Sequence, residues 1–231
     1  MKYVSIDLET TGLNSEKYQI LTFSAILEDT TTKLPFEECP KLNIYILRDE
    51  ILGSPFAINM NSRIIAAISR YQTLKTVEDK EGLRHSLNCV FLYPSAIPTY
   101  FYLWNLVYHE GKKEHISLLE QINWMDQKST ENSIKQVSSL RESNGPITIN
   151  AAGKNFATFD KKFIDHIEKF YHYTRIRQRV LDPSPLFADW DNDTALPDLT
   201  VCKERAGLDP FVSHDSLEDS WDVIELFRKV Y

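Results

Sequence analysis

The chain is 231 residues long, 42% hydrophobic and 26% charged, with a formal net charge of −7. Seven glycines and ten prolines exclude collagenous and low-complexity classes, and this length buries a core without help from a disulfide or metal clip. The acidic balance excludes a general basic surface for coating nucleic acid, so any contact with phosphate has to be local and cation-assisted.

Cys39, Cys89 and Cys202 are odd in number and far apart, with no CxxC or zinc-type spacing. They read as reduced, mostly buried thiols of a cytosolic-type compartment. Met1 to Asp7 meets an acid before any apolar run of about seven residues, so no signal peptide is expected. No stretch approaches 18 uncharged apolar residues, which predicts no membrane partner and a cytoplasmic location.

In chain order, Tyr3 to Leu8 and Gln19 to Glu28 read as strands, and Lys41 to Arg48 alternates as a third. Short turn-rich links between them predict an antiparallel meander. A helix is expected at Asn61 to Tyr71, where Ile64, Ile65, Ile68 and Tyr71 keep helical spacing. Residues 72–144 are too long for an ordinary connection and read as an inserted, partly helical subdomain, with helices at Ser117 to Ile122 and Glu131 to Leu140. Beyond it come a strand at Gly145 to Asn150, a helix at Phe159 to Tyr171 and a short strand at Val180 to Asp182. Helices at Asp198 to Ala206 and Ser216 to Val230 close the chain. The expectation is a single α/β domain over residues 1–231: a mixed sheet of meander plus parallel strands, flanked by helices and carrying the insertion.

Asp7 and Glu9 stand two apart in the first strand, so period-2 alternation sends both carboxylates to one face, while Val4, Ile6 and Leu8 take the other. At 4 Å and an effective dielectric of 20, two such charges repel by about 4 kcal/mol. A solvated strand edge or a cation between them would each relieve this. Asp160 heads a helical row with Ile164, Ile167 and Tyr171, and Asp219 heads another with Val223, Leu226 and Val230. Each acid also has an ordinary reading, as a macrodipole partner or as part of a Ser216-x-x-Asp219 capping box. If the four converge, their repulsion is comparable with a domain's whole stability of about 5–15 kcal/mol. Divalent cations resolve it, and an all-oxygen ligand set selects Mg²⁺ or Mn²⁺ over zinc. His214, five residues before Asp219, is placed to act as a general base.

Ser5-Ile6-Asp7-Leu8-Glu9-Thr10-Thr11-Gly12-Leu13 resembles the first motif of the DEDD (DnaQ-like) 3′–5′ exonuclease superfamily. Asn155 to Asp160 is similar to its second motif, and His214-Asp215-Ser216-Leu217-Glu218-Asp219-Ser220 to its third, in the histidine (DEDDh) subtype. The resemblance implies a ribonuclease H-like fold and two-metal phosphodiester hydrolysis at single-stranded DNA or RNA 3′ ends, releasing 5′-mononucleotides. Asp7 would bridge both ions, Glu9 and Asp219 would hold the ion nearest the attacking water, and Asp160 would support the second. His214 would take the nucleophile's proton. Thr10, Thr11, Gly12 and Leu13 would hold the terminal nucleotide through backbone amides and an apolar wedge, and Asn155 is a further candidate contact. Two departures stand out. Asn155 precedes Asp160 by five residues where the family has four, and Ser216 and Ser220 replace alanines.

Weaker signals complete the reading. Tyr171 to Arg179 alternates bases and aromatics, as a phosphate-tracking strand or as solvated charge past a helix end. The cluster Tyr100 to Trp104 reads as core of the insertion, or as a stacking or docking surface. The alternative function is a non-catalytic nucleic-acid-binding or assembly subunit, with a protein partner or dimer contact through the insertion. A helical HD-type phosphohydrolase, suggested by the His214-Asp215 pair, would need further metal-binding histidines in a mostly helical chain.

Overall fold

A computed structural model describes residues 1–123 and 127–231, so a part of the segment read as an insertion lies outside the described residues. The elements in chain order begin with β1 (Lys2–Thr10), β2 (Ile20–Asp29), β3 (Lys41–Ile46), α1 (Pro55–Met60), α2 (Ser62–Thr73), α3 (Val77–Leu87) and β4 (Val90–Leu92). Next are α4 (Ile97–Tyr108), α5 (Ile116–Asn123), α6 (Gln127–Asn144), β5 (Ile147–Ile149), β6 (Ala151–Ala152) and α7 (Asp160–Ile164). The chain finishes with α8 (Phe170–Tyr173), β7 (Thr174–Ile176), α9 (Leu199–Arg205) and α10 (Ser216–Arg228).

The five-stranded sheet has the order β4-β3-β2-β1-β6. β1, β2 and β3 form the expected antiparallel meander, and β6 joins β1 in parallel through Val4↔Ala151 and Ser5↔Ala152. A single parallel bridge, Ala152↔Leu181, continues beyond β6. Meander, then parallel neighbours on the β1 side, then covering helices is the mixed α/β, ribonuclease H-like arrangement. β1 lies inside the sheet, paired on both edges.

Alternation along β1 splits the molecule into two halves. Val4, Ile6 and Leu8 pack with Phe23, Ala25, Leu27, Leu42, Ile44 and Ile46 beneath α4. α4 is apolar on every side and buried nearly throughout, as a helix of that pattern must be. Its Phe101 meets Phe23 edge-on at 5.1 Å and stacks on Phe170 at 5.6 Å. Tyr100 to Trp104 is therefore core of the main sheet. Residues 72–144 supply structure to the same core: β4 extends the sheet from β3, and Leu119, Ile122 and Val137 of α5 and α6 close over α4. The other face of β1 carries Asp7 and Glu9 and is covered by α10, through Leu217, Val223, Ile224 and Phe227 against Tyr3 and Ile26.

Three elements differ from their expectation. The helix expected at Phe159 to Tyr171 is broken into α7 and α8, with Lys169 in the left-handed region at φ 63° and turn bonds from Ile167 N–H to Ile164 and from Phe170 N–H to Ile167. No proline or glycine marks the break, so the apolar spacing ran straight through it. Val180 to Asp182 makes one bridge and no strand, because Asp182 turns to accept from Ser184 N–H at 2.8 Å and Asn155 N–H at 2.9 Å. Residues Gly145 to Asn150 hold β5, which pairs with β7 in a separate two-stranded sheet before β6 enters the main one.

Gly153 follows β6 where the chain presses against β1. A Cβ there would lie 2.7 Å from the Ile6 carbonyl oxygen and 2.9 Å from Phe156 Cβ. Gly153→Ala should therefore lower stability by about 1–3 kcal/mol. A denaturant midpoint equal to wild type would show that the two segments do not press together here.

Candidate active site

Register places the polar face of the meander. Asp7 pairs with Ser24 and Glu9 with Thr22 across the β1–β2 ladder, and Ser24 pairs with Asn43 on β3. The ladder shifts register between Glu9 and Thr10, so β1 leaves the sheet just after its second acid. On this face a buried hydroxyl network docks α10. Ser216 Oγ shares hydrogen bonds with Thr22 Oγ1 at 2.8 Å and Ser24 Oγ at 2.7 Å, while Ser24 Oγ donates to Asn43 Oδ1 at 3.1 Å. Thr22 Oγ1 also accepts from the Glu9 N–H at 3.3 Å. Ser216 thus pins the start of α10 directly over the two acids. Asp215, not Ser216, caps the helix, accepting from Leu217 N–H at 2.9 Å and Glu218 N–H at 3.3 Å. The capping-box reading of Ser216-x-x-Asp219 therefore gives way to Asp215, which leaves the Asp219 carboxylate to turn toward β1.

The second approach comes from α7. Asp160 is only 1% exposed, and its Oδ1 accepts from the Leu8 N–H at 3.1 Å, between Asp7 and Glu9 in sequence. Glu9 and Asp219 are 6% and 8% exposed, and Asp7 is half-buried. Burial, then the charges of Asp160, Asp219, Glu9 and Asp215, drive the Asp7 carboxyl well above its ordinary range. Glu9 is pushed up to about 8 by burial and Asp219, with an Asn61 hydrogen bond working the other way. Burial pushes Asp160 up to about 7 against its backbone hydrogen bonds, and burial and Asp222 push Asp219 up to about 7. Among the described residues, no lysine or arginine forms an ion pair with any of the four.

Ligand atoms of Glu9, His214 and Asp219 all lie within 4.8 Å of one another. Two unit charges at that distance repel by about 3 kcal/mol at an effective dielectric of about 20. Asp160 Oδ2 and Asp219 Oδ1 are buried oxygens without a hydrogen-bond partner. Such orphaned acceptors are costly unless a cation or water meets them. The donor set is carboxylate-rich, hard and anionic, and so fits Mg²⁺ or Mn²⁺. His214 is exposed, with φ 53°, and a ring nitrogen lies within 4.8 Å of carboxylate oxygens of Glu9 and Asp219.

The remaining expected contacts line the exit from β1. Thr10 Oγ1 donates to the Gly12 carbonyl at 2.9 Å, and Thr11 Oγ1 to the Leu52 carbonyl at 2.6 Å. Gly12 admits the Tyr18 ring so closely that a Cβ would sit 2.4 Å from it. Leu13 projects 86% exposed. Asn155 is exposed in a left-handed turn at φ 58°, its Oδ1 receiving Lys154 Nζ at 3.0 Å, away from the acids' hydrogen bonds. Arg175, Arg177 and Arg179 are exposed on and just beyond β7.

Some supporting residues carried no sequence signal. Asn61, 2% exposed, donates to the Thr10 carbonyl at 3.1 Å and ties α2 to the end of β1. Lys203 is buried on α9, donating to Asp222 Oδ2 at 2.6 Å and to the Phe211 carbonyl at 2.5 Å, so it holds the approach to His214 against α10. The hydroxyl network is visible in sequence only as small polar residues at alternate strand positions.

Carboxyls raised from about 4 when unfolded to about 7–8 when folded bind more protons in the native state across that interval. The metal-free fold is therefore most stable below about pH 4–5 with respect to these groups, and loses that stability as pH rises through 8. Chelated protein should melt lower at pH 8.5 than at pH 6. Mg²⁺ or Mn²⁺ should raise the melting temperature by several degrees at pH 8.5 and by less at pH 6. A metal effect independent of pH would contradict this electrostatic picture.

No protein-family model matches the chain, and no curated protein matches it in sequence. Among solved structures, that of E. coli Exonuclease I in complex with a 5cy-dA13 oligonucleotide aligns over 99% of this chain at 15% identity and TM-score 0.47. The chain spans 40% of the length of that protein.

Proposed function

We propose that the chain is a divalent-metal-dependent 3′–5′ exonuclease, hydrolysing phosphodiester bonds at the 3′ end of single-stranded DNA or RNA and releasing 5′-mononucleotides. The observation that supports this reading is the carboxyl cluster: Glu9, His214 and Asp219 offer ligand atoms within 4.8 Å of one another, Asp7 feels the charges of Asp160, Asp219 and Glu9, and Asp160 and Asp219 each keep a buried oxygen without a hydrogen-bond partner. The order of the motifs along the chain supports the DEDDh subtype, and Ser216 occupies its family-alanine position as the anchor of α10.

Asp7, Glu9, Asp160 and Asp219 would together hold the divalent ions, Glu9 and Asp219 from the side of His214 and Asp160 from α7. When bound, two Mg²⁺ or Mn²⁺ ions supply Lewis acidity and offset charge on the phosphate in the transition state. His214 accepts the proton of the attacking water as the new P–O bond forms and the P–O3′ bond breaks. Its exposed position lets it pass that proton to solvent. The Gly12 backbone amide faces the terminal nucleotide and Leu13 wedges beside its base, while the Thr11 N–H is given to the Gln19 carbonyl at 2.9 Å and so shapes the loop rather than binding. The leaving strand departs with a new 3′-hydroxyl.

Asp7→Asn should lower mononucleotide release by at least 10³-fold while the circular dichroism spectrum and solubility stay as in wild type. His214→Ala should cost on the order of 10²–10⁴-fold, at unchanged affinity for the 3′ end. The assay is single-turnover digestion of 5′-labelled single- and double-stranded DNA and RNA, with and without chelator. Wild-type rates in Asp7→Asn would refute the catalytic reading and leave a binding or assembly role.

A further inference from the structure

Among the described residues β7 pairs with β5 alone, which leaves its other edge open. From this strand onward an arginine stands at every second position: Arg175, Arg177 and Arg179. Parallel register sets Arg175 beside Thr148 of β5, so the two side chains point the same way. Ile147 and Ile149, which flank Thr148, belong to the apolar cluster of Val4, Ile6 and Leu8, and Ile176 packs on it too. Alternation therefore sends Arg175 and Arg177 to the other face, the one that carries Asp7 and Glu9.

The ladder continues from the Arg177 N–H to the Ile149 carbonyl at 3.0 Å and resumes from the Leu181 N–H to the Ala151 carbonyl at 2.9 Å. This strand thus uses four residues where its partner uses two, and Arg179 rides on the resulting exposed bulge. Counted from the Val4↔Ala151 pair, strand geometry puts the row on the order of 20 Å from Asp7, toward the start of β1.

All three arginines are exposed, and among the described residues none forms an ion pair. The next acid along the chain, Asp182, is engaged by the N–H groups of Asn155 at 2.9 Å and Ser184 at 2.8 Å. On a chain of net charge −7 the row is a local excess of positive charge. Charged side chains also keep an open edge from pairing with another strand, but that task asks only for charge. Guanidinium forks repeating about every 6.6 Å along one strand suit a polyanion with regularly spaced phosphates. The exposed neighbours Thr148 and Gln178 are polar and offer nothing to a lipid interior, which favours a nucleic-acid backbone over a membrane.

We propose that Arg175, Arg177 and Arg179 form a remote binding site for the phosphate backbone of a nucleic-acid strand. That this strand is the one whose 3′ end lies among the acids rests on the exonuclease reading. The site then gives the protein a preference for strands long enough to span from the acids to the open edge.

Full-length wild type and the triple variant Arg175→Gln, Arg177→Gln, Arg179→Gln are titrated in EDTA with a labelled twelve-nucleotide single strand at several salt concentrations. Each phosphate contact on a single strand contributes a slope of about −0.7 in log affinity against log salt, so the variant's slope should be shallower by about 2. Affinity at low salt should fall by at least tenfold. In Mg²⁺ the KM of the twelve-nucleotide strand should rise in proportion with kcat little changed, and hydrolysis of a trinucleotide, too short to span the distance, should be unaffected. A wild-type slope in the triple variant overturns the proposal. So does an equal flattening from Lys75→Gln, Lys113→Gln and Lys229→Gln, three exposed cations on other segments, since the effect would then belong to net charge. Arginine-dependent flotation with phosphatidylserine vesicles, at unchanged strand affinity, assigns the row to a membrane and also overturns it. Arginine-dependent strand binding without any hydrolysis by wild type keeps the site and removes only the exonuclease reading.

Discussion

Carboxyls crowded together with no lysine or arginine ion pair among the described residues set the terms for the rest of this molecule. Burial raises the carboxyls of Asp7, Glu9, Asp160 and Asp219 above their ordinary range, and the charges of the neighbouring acids add to it at Asp7 and Glu9. The nearest buried ammonium, Lys203, is already committed to Asp222 and the Phe211 carbonyl. A fold that gathers like charges in this way carries a deficit of positive charge at one defined place. Hard divalent cations have the charge and the oxygen preference to fill it.

The scaffold resists that repulsion by fixing each acid from a different direction. β1 supplies two of them from inside a sheet, where pairing on both edges prevents the strand from drifting. Asp160 is held by the Leu8 N–H, and Asp219 by a helix whose first residue is tied to β2 through hydroxyls. Behind the strand, Val4, Ile6 and Leu8 sit in the largest apolar cluster with α4. A displacement of β1 large enough to separate the acids would open that cluster, and burial of a single such side chain is worth about 1.5–3 kcal/mol. Opposite faces of one strand thus perform opposite tasks: one anchors, the other holds charge. Preorganisation of this kind is what the proposed metal-dependent hydrolysis would require.

Much of this was legible in the residues because strand alternation and helical spacing act locally. Asp7 and Glu9 had to share a face once Val4, Ile6 and Leu8 claimed the other, and Asp219 had to face inward with Val223 and Leu226. The meander was readable for the same reason, from alternating apolar positions and short turns. What stayed hidden depended on tertiary partners. Lys169 breaks the helix after Ile164 through a left-handed residue that no glycine announces, so the row drawn to Tyr171 did not survive. The aromatic run Tyr100 to Trp104 looked like the centre of an appendage, yet α4 lies under the main sheet because β4 first returns the chain to its edge. Ser216 was legible only as a small side chain; its role needs Thr22, Ser24 and Asn43, which are distant in sequence.

Anomalous diffraction from Mn²⁺-soaked crystals addresses the charge deficit directly. Strong peaks in contact with Asp7, Glu9, Asp160 and Asp219, lost from crystals of Asp7→Asn, are the expected result. Full manganese occupancy elsewhere on the protein, with these four carboxyls protonated and in contact only with one another, would contradict it.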